Sequence, residues 1–521
     1  MNSSQIAAIS VGGVLLTVFL SLGLYSLVLN WNNSQFSNQS IFFIKKWLLV
    51  IFILLLNALG CALVYYTRNL QVILYVILVL KSKDILVAVM FPINLVIRYL
   101  RRKTTDSEVA EAPSHIVAFV PVYTESKSQI TRTLQSIVEQ NQNTLLFLIS
   151  DGNYNYDYLI DDLKLRHVSS YTSWKHETID ITVSYGIHNG NNIVIVRKNQ
   201  NMGKKDSIIL CHSIFNFAQD TPLPISAQIR DNIRDIFNLS EFHYILGIDA
   251  DTVLSNGSIS SLINSITSRD AIASCGIVNA DTSQGNIFWN HLQNFQYLYG
   301  QYMRRTNEDL FNQVMCLPGC VSMFKIDTRF ALAFQHYTSQ SSDSNLLFSC
   351  VQHVGTDRRL TSLLLSTHPN RIVLDLTSHA YTCVPSTLYT FIKQRIRWCQ
   401  NMYFNTLINI FTPNINFLLR FFNLIDLLRL TLIYFRVFNT VYFVFLLISF
   451  YNSSNFLQLL PFIVIISYPI VLFLIYSLFN SHLRSQYFSL LISLILNRIF
   501  SMFSTITIFT IMLFNIGNHT W

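Results

Sequence analysis

Ionisable side chains are almost confined to the middle of this 521-residue chain. Residues 1–44 contain no Lys, Arg, Asp or Glu, and residues 404–521 contain only Arg420, Asp426, Arg429, Arg436, Arg484 and Arg498. Across the whole chain 51% of residues are hydrophobic and 12% charged, about half the usual charged share, so a purely water-soluble globule is not expected. Apolar runs long enough to cross a bilayer are predicted at about 8–30 and 47–66 before the charged middle, and at about 431–450 and 456–479 after it. Residues 70–98 are apolar but divided by Lys81, Lys83 and Asp84, which reads as interfacial helices or a third span. Residues 487–515 are interrupted by Asn497-Arg498 and read as a span or a hairpin. An arginine inside a span, such as Arg436, faces a polar interior or snorkels to an interface.

No basic segment precedes the first apolar run, which disfavours a cleaved signal peptide. Arg101-Arg102-Lys103 marks the cytosolic side by the positive-inside bias. Lys45-Lys46 pulls against it, so the N-terminal orientation stays open. The net charge is +8, but no long Lys/Arg run exists, so nucleic acid is not an expected partner; lipid headgroups and anionic nucleotides suit the charge better. The eight cysteines form no C-x-x-C pair and no His-Cys zinc spacing, and neither a disulfide framework nor a structural metal is expected. The chain is thus divided into membrane helices over 1–104, a cytosolic domain over 105–400, and interfacial and membrane helices over 401–521.

From His115 the pattern becomes short β-rich runs alternating with helical ones, the mark of an α/β sheet. Strands are predicted at His115–Val120, Leu145–Ser150, Asn192–Val196 and Phe242–Ile248, with Ser126 and Gln129 capping a helix after the first. Residues 219–241 read as a surface excursion. Asp151, Asp249 and Asp251 fall just past strand ends, where open α/β sheets place their ligands.

Several short runs carry chemistry. Asp249 and Asp251, one residue apart after an apolar strand, can hold a hard divalent cation that neutralises a diphosphate; alone, such a pair is a common surface turn. Lys204 and Lys205 follow a glycine and open a helix, which suits phosphate or merely a solvated helix start. Asp357 opens another helix, either as an N-cap or as a general base that deprotonates an acceptor hydroxyl. Cys316-Leu-Pro-Gly-Cys320 is a turn that can wall a substrate. Gln394-Arg-Ile-Arg-Trp398 sets an amide, two guanidiniums and an indole on about one and a half turns of helix, groups suited to phosphate oxygens and a sugar face.

Taken in order, Pro121-Val-Tyr-Thr-Glu125, Asp151-Gly152, Gly203-Lys-Lys-Asp-Ser207, Asp249-Ala-Asp251, Cys316-Leu-Pro-Gly-Cys320, Gly355-Thr-Asp357-Arg358 and Gln394-Arg-Ile-Arg-Trp398 resemble the processive family 2 glycosyltransferases. These include chitin, hyaluronan and cellulose synthases, and the resemblance covers about residues 110–400. The Lys-Lys-Asp-Ser run and the Cys-Leu-Pro-Gly-Cys turn look most like chitin synthases, while the Gly-x-Asp-Arg run is shared with hyaluronan synthases.

The resemblance implies an α/β, GT-A type Rossmann-like cytosolic glycosyltransferase domain flanked by transmembrane and interfacial α-helices, in the plasma membrane. Tyr123, Thr124, Glu125 and Asp151 would lie around the uridine, and Lys204 or Lys205 with Arg397 would hold the diphosphate. Asp249 would face the nucleotide and Asp251 the Mg²⁺ or Mn²⁺. Asp357 would be the general base, Trp398 would stack on the acceptor sugar, and Gln394, Gly319 and Cys320 would frame that sugar. The implied donor is UDP-N-acetylglucosamine, the acceptor a growing polysaccharide, and membrane lipid a further partner; a homo-oligomer is left open. A hyaluronan or β-glucan synthase is the nearest alternative, and a non-catalytic receptor or transporter that keeps a nucleotide-sugar fold is a remote one. Two positions depart from the pattern. Thr356 stands where an acidic residue usually precedes the base, and Asn518-His-Thr-Trp521 resembles the start of a Trp-Gly-Thr segment that runs on into further helix in relatives.

Overall fold

The apolar runs of the charged middle pair into one mixed sheet. In the computed structural model, which describes residues 38–67, 70–105, 115–140, 143–216, 224–283, 285–339, 346–450 and 456–517, ten strands are found among the described residues. They are β1 (Ile116–Val122), β2 (Thr144–Ser150), β3 (Asp162–Thr172), β4 (Thr178–His188), β5 (Asn191–Lys198), β6 (Tyr244–Gly247), β7 (Thr252–Leu254), β8 (Ala273–Ala280), β9 (Ser322–Lys325) and β10 (Ile372–Thr382). Their order across the sheet is β3-β4-β5-β2-β1-β6-β9-β8-β10-β7. This is the α/β class that the sequence predicts, with parallel pairing at its centre.

The expected span at 8–30 and the Asn518–Trp521 segment lie outside the described residues. The chain divides into two compact units, one of residues 1–95, 340–355 and 385–521, the other of 96–339 and 356–384. The whole sheet belongs to the second.

Central strands β5, β2, β1 and β6 run parallel, so their C-terminal ends share one edge of the sheet. Residues 123–125, 151, 198–204 and 249 therefore emerge together, although about 125 residues of chain separate the first from the last. Two antiparallel pairings bring other segments to this edge. Gly247 of β6 faces Ser322 of β9, which delivers the turn at 316–320, and Thr252 of β7 faces Thr382 of β10. Strand β1 is buried on both faces, with Ile116, Val117, Ala118 and Val120 at 0% exposure, so it reads as a continuous apolar run. The helix Lys127–Val138 then turns Ile130, Leu134 and Ile137 onto the sheet core, and Ser126 and Gln129 form the predicted capping box.

Two elements differ from expectation. Asp162–His188 forms a long antiparallel hairpin at the sheet edge, and Pro224–Phe237 is a helix rather than an excursion. Proline at the helix start and burial of Ile225, Ile229 and Ile233 on one stripe explain the latter.

The described residues of the other unit are mainly helical. Among them two helices, over Ser40–Tyr66 and Tyr487–Phe514, are long and apolar enough to cross a membrane. The second is continuous through Arg498, with no hairpin. Leu70–Thr105 is likewise one helix through Lys81, Lys83 and Asp84, with Pro92 inside it. Its charges are matched within the unit: Asp84 meets Arg429 at 3.1 Å and Lys81 at 3.7 Å, and Lys83 pairs with Asp426. Arg436 donates to the carbonyl oxygen of Arg429 at 2.8 Å, giving its guanidinium a polar partner. The stretches 431–450 and 456–479 form the helices Ile433–Phe450 and Phe456–Phe479, whose described apolar parts, Ile433–Phe445 and Ile463–Phe479, are shorter than Ser40–Tyr66 and Tyr487–Phe514.

Candidate active site

The helix Lys204–Phe215 is set at the shared edge of the sheet by the loop that follows β5. Gly203 has φ +89°, a region that side-chain-bearing residues avoid. This lets its N–H reach Asp151 Oδ2 at 2.6 Å while Met202 N–H reaches Oδ1 at 2.9 Å. Asp151 is thus occupied in holding the helix start. Lys198, at the end of β5 and fully buried, donates to Asp206 at 2.7 Å, Ser207 at 2.9 Å and Asp151 at 3.3 Å. The sequence reading missed Lys198 and Asp206, although a lysine at a strand terminus beside the Asp206-Ser207 dipeptide was a signal for them.

Lys204 and Lys205 have separate fates, because successive helical residues point about 100° apart. Lys204 Nζ donates to Asp249 Oδ1 at 2.6 Å. Burial alone would lower its pKa, but the carboxylates of Asp249 and Asp357 outweigh that and hold it above the ordinary lysine value, so it is a firm cation. Lys205 instead turns inward, 3.7 Å from the centre of the Trp174 ring and 4.8 Å from that of Tyr337. Burial, with Arg359 adding repulsion, pushes it down to about 6, so at neutral pH it packs against these rings largely as an uncharged amine.

Asp357 begins the helix Asp357–Thr367, and the side chain of Thr356 makes no capping hydrogen bond there. A Cβ built on Gly319 would stand 2.5 Å from Lys204 Nζ and 2.6 Å from Asp357 Oδ2, so both side chains close directly over that glycine. The turn is anchored from behind: Leu317 N–H donates to Thr361 Oγ1 at 3.0 Å, on the helix that Asp357 opens. Lys204, Gly319 and Asp357 line a small pocket whose other walls include Phe119, Ile208, Leu317 and Leu360. Burial pushes the nearby Cys320 thiol well up, which keeps it protonated.

Asp251 lies on the same edge and accepts hydrogen bonds from Thr252 at 3.3 Å and Thr382 at 3.2 Å. Its pKa is pushed up to about 7, first by burial, then by the carboxylates of Asp249 and Glu125. The oxygen donors of Asp251 and its neighbour Asp249 suit a hard cation such as Mg²⁺ or Mn²⁺, which would relieve the repulsion on Asp251. Among the described residues no group of three His, Cys, Asp or Glu side chains encloses an ion by itself. Phosphate oxygens would have to complete such a shell, as is usual for these metals. Glu125 also accepts from Tyr123 N–H at 2.7 Å, and Tyr123 and Thr124 stand exposed beyond β1. The Tyr123 ring meets Tyr154 edge to face at 5.9 Å, forming an aromatic lip.

The pentapeptide lies in the helical unit, on the helix Leu388–Ile410, whose start is fixed by a capping box of Thr387 and Thr390. Arg395 is buried and stacks over Trp398 at 4.1 Å and Phe391 at 5.2 Å, while Arg397 faces outward and Trp398 is 43% exposed. Gln394 Oε1 is shut away from solvent with no partner among the described residues.

An α/β sheet whose parallel strand ends present carboxylates, a fixed lysine and a glycine-floored cavity has the features of a nucleotide-binding domain. The chain belongs to the chitin synthase family: the family model described as Chitin synthase matches residues 179–515. Chitin synthase 8 of Gibberella zeae is 24% identical over 419 residues, covering 73% of this chain and 62% of that protein. Chitin synthase 6 of Mycosarcoma maydis is 27% identical over 395 residues, covering 65% of this chain and 32% of that protein. The chain therefore spans less than two thirds of the length of these relatives. Among solved structures, a mannosyltransferase from Pyrobaculum calidifontis in complex with GDP-Man and Mn²⁺ covers 80% of this chain and 98% of its own, at 12% identity and a TM-score of 0.37. Residues 1–349 of S. aureus TarS with UDP-GlcNAc match at 10% identity and a TM-score of 0.31, covering 76% of this chain and 90% of their own.

Proposed function

We propose that this chain is a membrane-embedded, processive, inverting glycosyltransferase that extends a β-1,4-linked, chitin-like polysaccharide from UDP-N-acetylglucosamine. The observation that carries this reading is the closure of Lys204 and Asp357 over Gly319, with Asp249 bonded to that same lysine. One carboxylate and one fixed cation are what a single in-line displacement needs. Asp357 accepts the proton of the acceptor hydroxyl as its oxygen attacks the anomeric carbon, and UDP departs with the bonding pair. Lys204 neutralises the diphosphate as negative charge develops on it. Asp249 and Asp251 would hold Mg²⁺ or Mn²⁺, which supplies further charge neutralisation when bound.

Tyr123, Thr124, Glu125 and Asp151 are assigned to the uridine end, with Asp151 acting through the helix start that it pins. Lys205 is given no contact with the diphosphate, since its amine is turned into an aromatic enclosure. Gly319 and Cys320 are assigned to the frame of the acceptor sugar, while Gln394, Arg397 and Trp398 keep only the roles that the sequence resemblance implies. The catalytic domain is taken from the sequence as residues 105–400 on the cytosolic side of the plasma membrane, although 340–355 and 385–400 group with the helical unit. A hyaluronan or β-glucan synthase is the second reading, favoured by the Gly355-Thr-Asp357-Arg358 run.

Asp357→Asn tests the assignment. The amide keeps the shape but cannot take up the proton, so sugar transfer should fall by at least about a hundredfold while UDP affinity is kept. Undiminished transfer would remove Asp357 from the role of base.

A further inference from the structure

Trp174 stands far from the cavity in sequence and belongs to none of the runs that first pointed to the site. It lies in the turn between β3 and β4, which Ser173 and Glu177 close by a 2.8 Å backbone hydrogen bond. The turn reaches from the edge hairpin to the start of the helix Lys204–Phe215 and holds it in three ways. Trp174 N–H donates to Asp206 Oδ1 at 2.7 Å, the hydroxyl of Tyr171 donates to the other oxygen of Asp206, and the Trp174 ring covers the Lys205 amine at 3.7 Å. The indole is itself fixed, its Nε1–H donating to the carbonyl oxygen of Thr338 at 3.1 Å.

Asp206 is 1% exposed and Lys198 is 0% exposed, so this carboxylate cannot exchange its partners for water. Lys204 is the residue immediately before those that Trp174 holds. Its rotation about the helix axis, and hence the aim of its ammonium at Asp249 and the Gly319 floor, follows from where Lys205 and Asp206 are fixed. We propose that Trp174 is a positioning residue: its ring, packed on Lys205 beside the backbone bond to Asp206, sets the helix start so that Lys204 faces the diphosphate of a nucleoside-diphosphate donor. This rests on the nucleotide-sugar reading of the site and adds to it a part for the edge hairpin.

The test compares UDP with uridine on the full chain and on the variants Trp174→Ala and Trp174→Phe. Uridine lacks the phosphates that Lys204 would meet, so the ratio of the two affinities isolates the lysine. Trp174→Ala should weaken UDP about tenfold, leave uridine unchanged, and raise KM for the donor more than it lowers kcat. Both variants keep the backbone N–H to Asp206; Trp174→Phe also keeps a ring over Lys205 and loses only the indole N–H to Thr338, so it should restore most of the UDP affinity. Amide hydrogen exchange at residues 202–207, read without ligand, should quicken in Trp174→Ala and return in Trp174→Phe. An unchanged UDP-to-uridine ratio in Trp174→Ala overturns the proposal, as does an equal loss of both ligands. If the unaltered chain binds no UDP while exchange at 202–207 still responds to Trp174, the nucleotide reading is what has failed and the aim at a diphosphate falls with it. If exchange does not respond, the positioning role fails by itself.

Discussion

Gly319→Ala is the smallest change that probes the meeting of base and phosphate lysine. The added methyl would lie 2.5 Å from Lys204 Nζ and 2.6 Å from Asp357 Oδ2, where ordinary contact begins at 3.4 Å. Each group must therefore retreat by about 0.8–0.9 Å. Lys204 can yield, since the contact is the end of a long, flexible side chain. Asp357 has less freedom, because it begins a helix and its carboxyl carbon would also lie within 2.9 Å of the methyl. A displacement of about 1 Å in a reacting group costs on the order of a hundredfold in rate, whereas the overpacking itself should cost about 1–3 kcal/mol of stability. The backbone is not the obstacle, since no positive φ is recorded at this glycine. The assay is steady-state sugar transfer alongside UDP titration and thermal unfolding of the same preparation. The expected pattern is a kcat lower by about a hundredfold, a UDP affinity changed by no more than about fivefold, and a folded protein. Full activity in a folded Gly319→Ala chain would refute the claim that Lys204 and Asp357 work across this glycine.

Two further expectations follow from how the charges are arranged. Lys204→Met should weaken UDP by about 10–100-fold, the worth of a charge-assisted contact, whereas Lys205→Met, whose side chain still fills the space under the Trp174 ring, should leave it within about twofold; calorimetric titration of both variants checks this, and a reversed order would refute the division of roles. For Asp251 the folded value, about 7, lies above the ordinary 3.8. Between those values the folded chain keeps a proton that the unfolded chain has released, so this group's stabilising contribution declines as pH rises from about 4 to about 7. A bound cation must expel that proton, so Mn²⁺ affinity should fall by up to about tenfold per unit below pH 7, with Asp251→Asn flattening the slope; equal Mn²⁺ affinity at about pH 6 and about pH 8 would contradict it.

The strand-end carboxylates were legible because both signals are local: an apolar run for the strand, and an acidic residue just past it. The cap at Ser126 was legible for the same reason. Hairpin β3–β4 was not, because β3 is an edge strand whose side chains are nearly all exposed, from Lys164 through Arg166 to Ser170, so no buried alternation marks it. The helix Pro224–Phe237 could have been found from Ile225, Ile229 and Ile233, but its long polar face hid the stripe. The division between Lys204 and Lys205 was beyond a reading of residue types, since it depends on which way the first turn of a helix is rotated. That rotation is set by Asp151 and Trp174, both brought in from far along the chain, and by Lys198, which precedes Asp206 by eight residues. Asp151 shows the same limit from the other side: its place at a strand end was readable, but its bonds to Met202 and Gly203 were not.

The central claim is sugar transfer, and a donor screen on the purified full chain tests it most directly. With Mg²⁺ or Mn²⁺, labelled sugar from UDP-N-acetylglucosamine should enter a polymer that chitinase degrades, with no need for a second donor. Polymer formed only when UDP-glucuronate is added would move the chain to the hyaluronan reading. A folded protein that yields no product from any UDP-sugar would contradict the account.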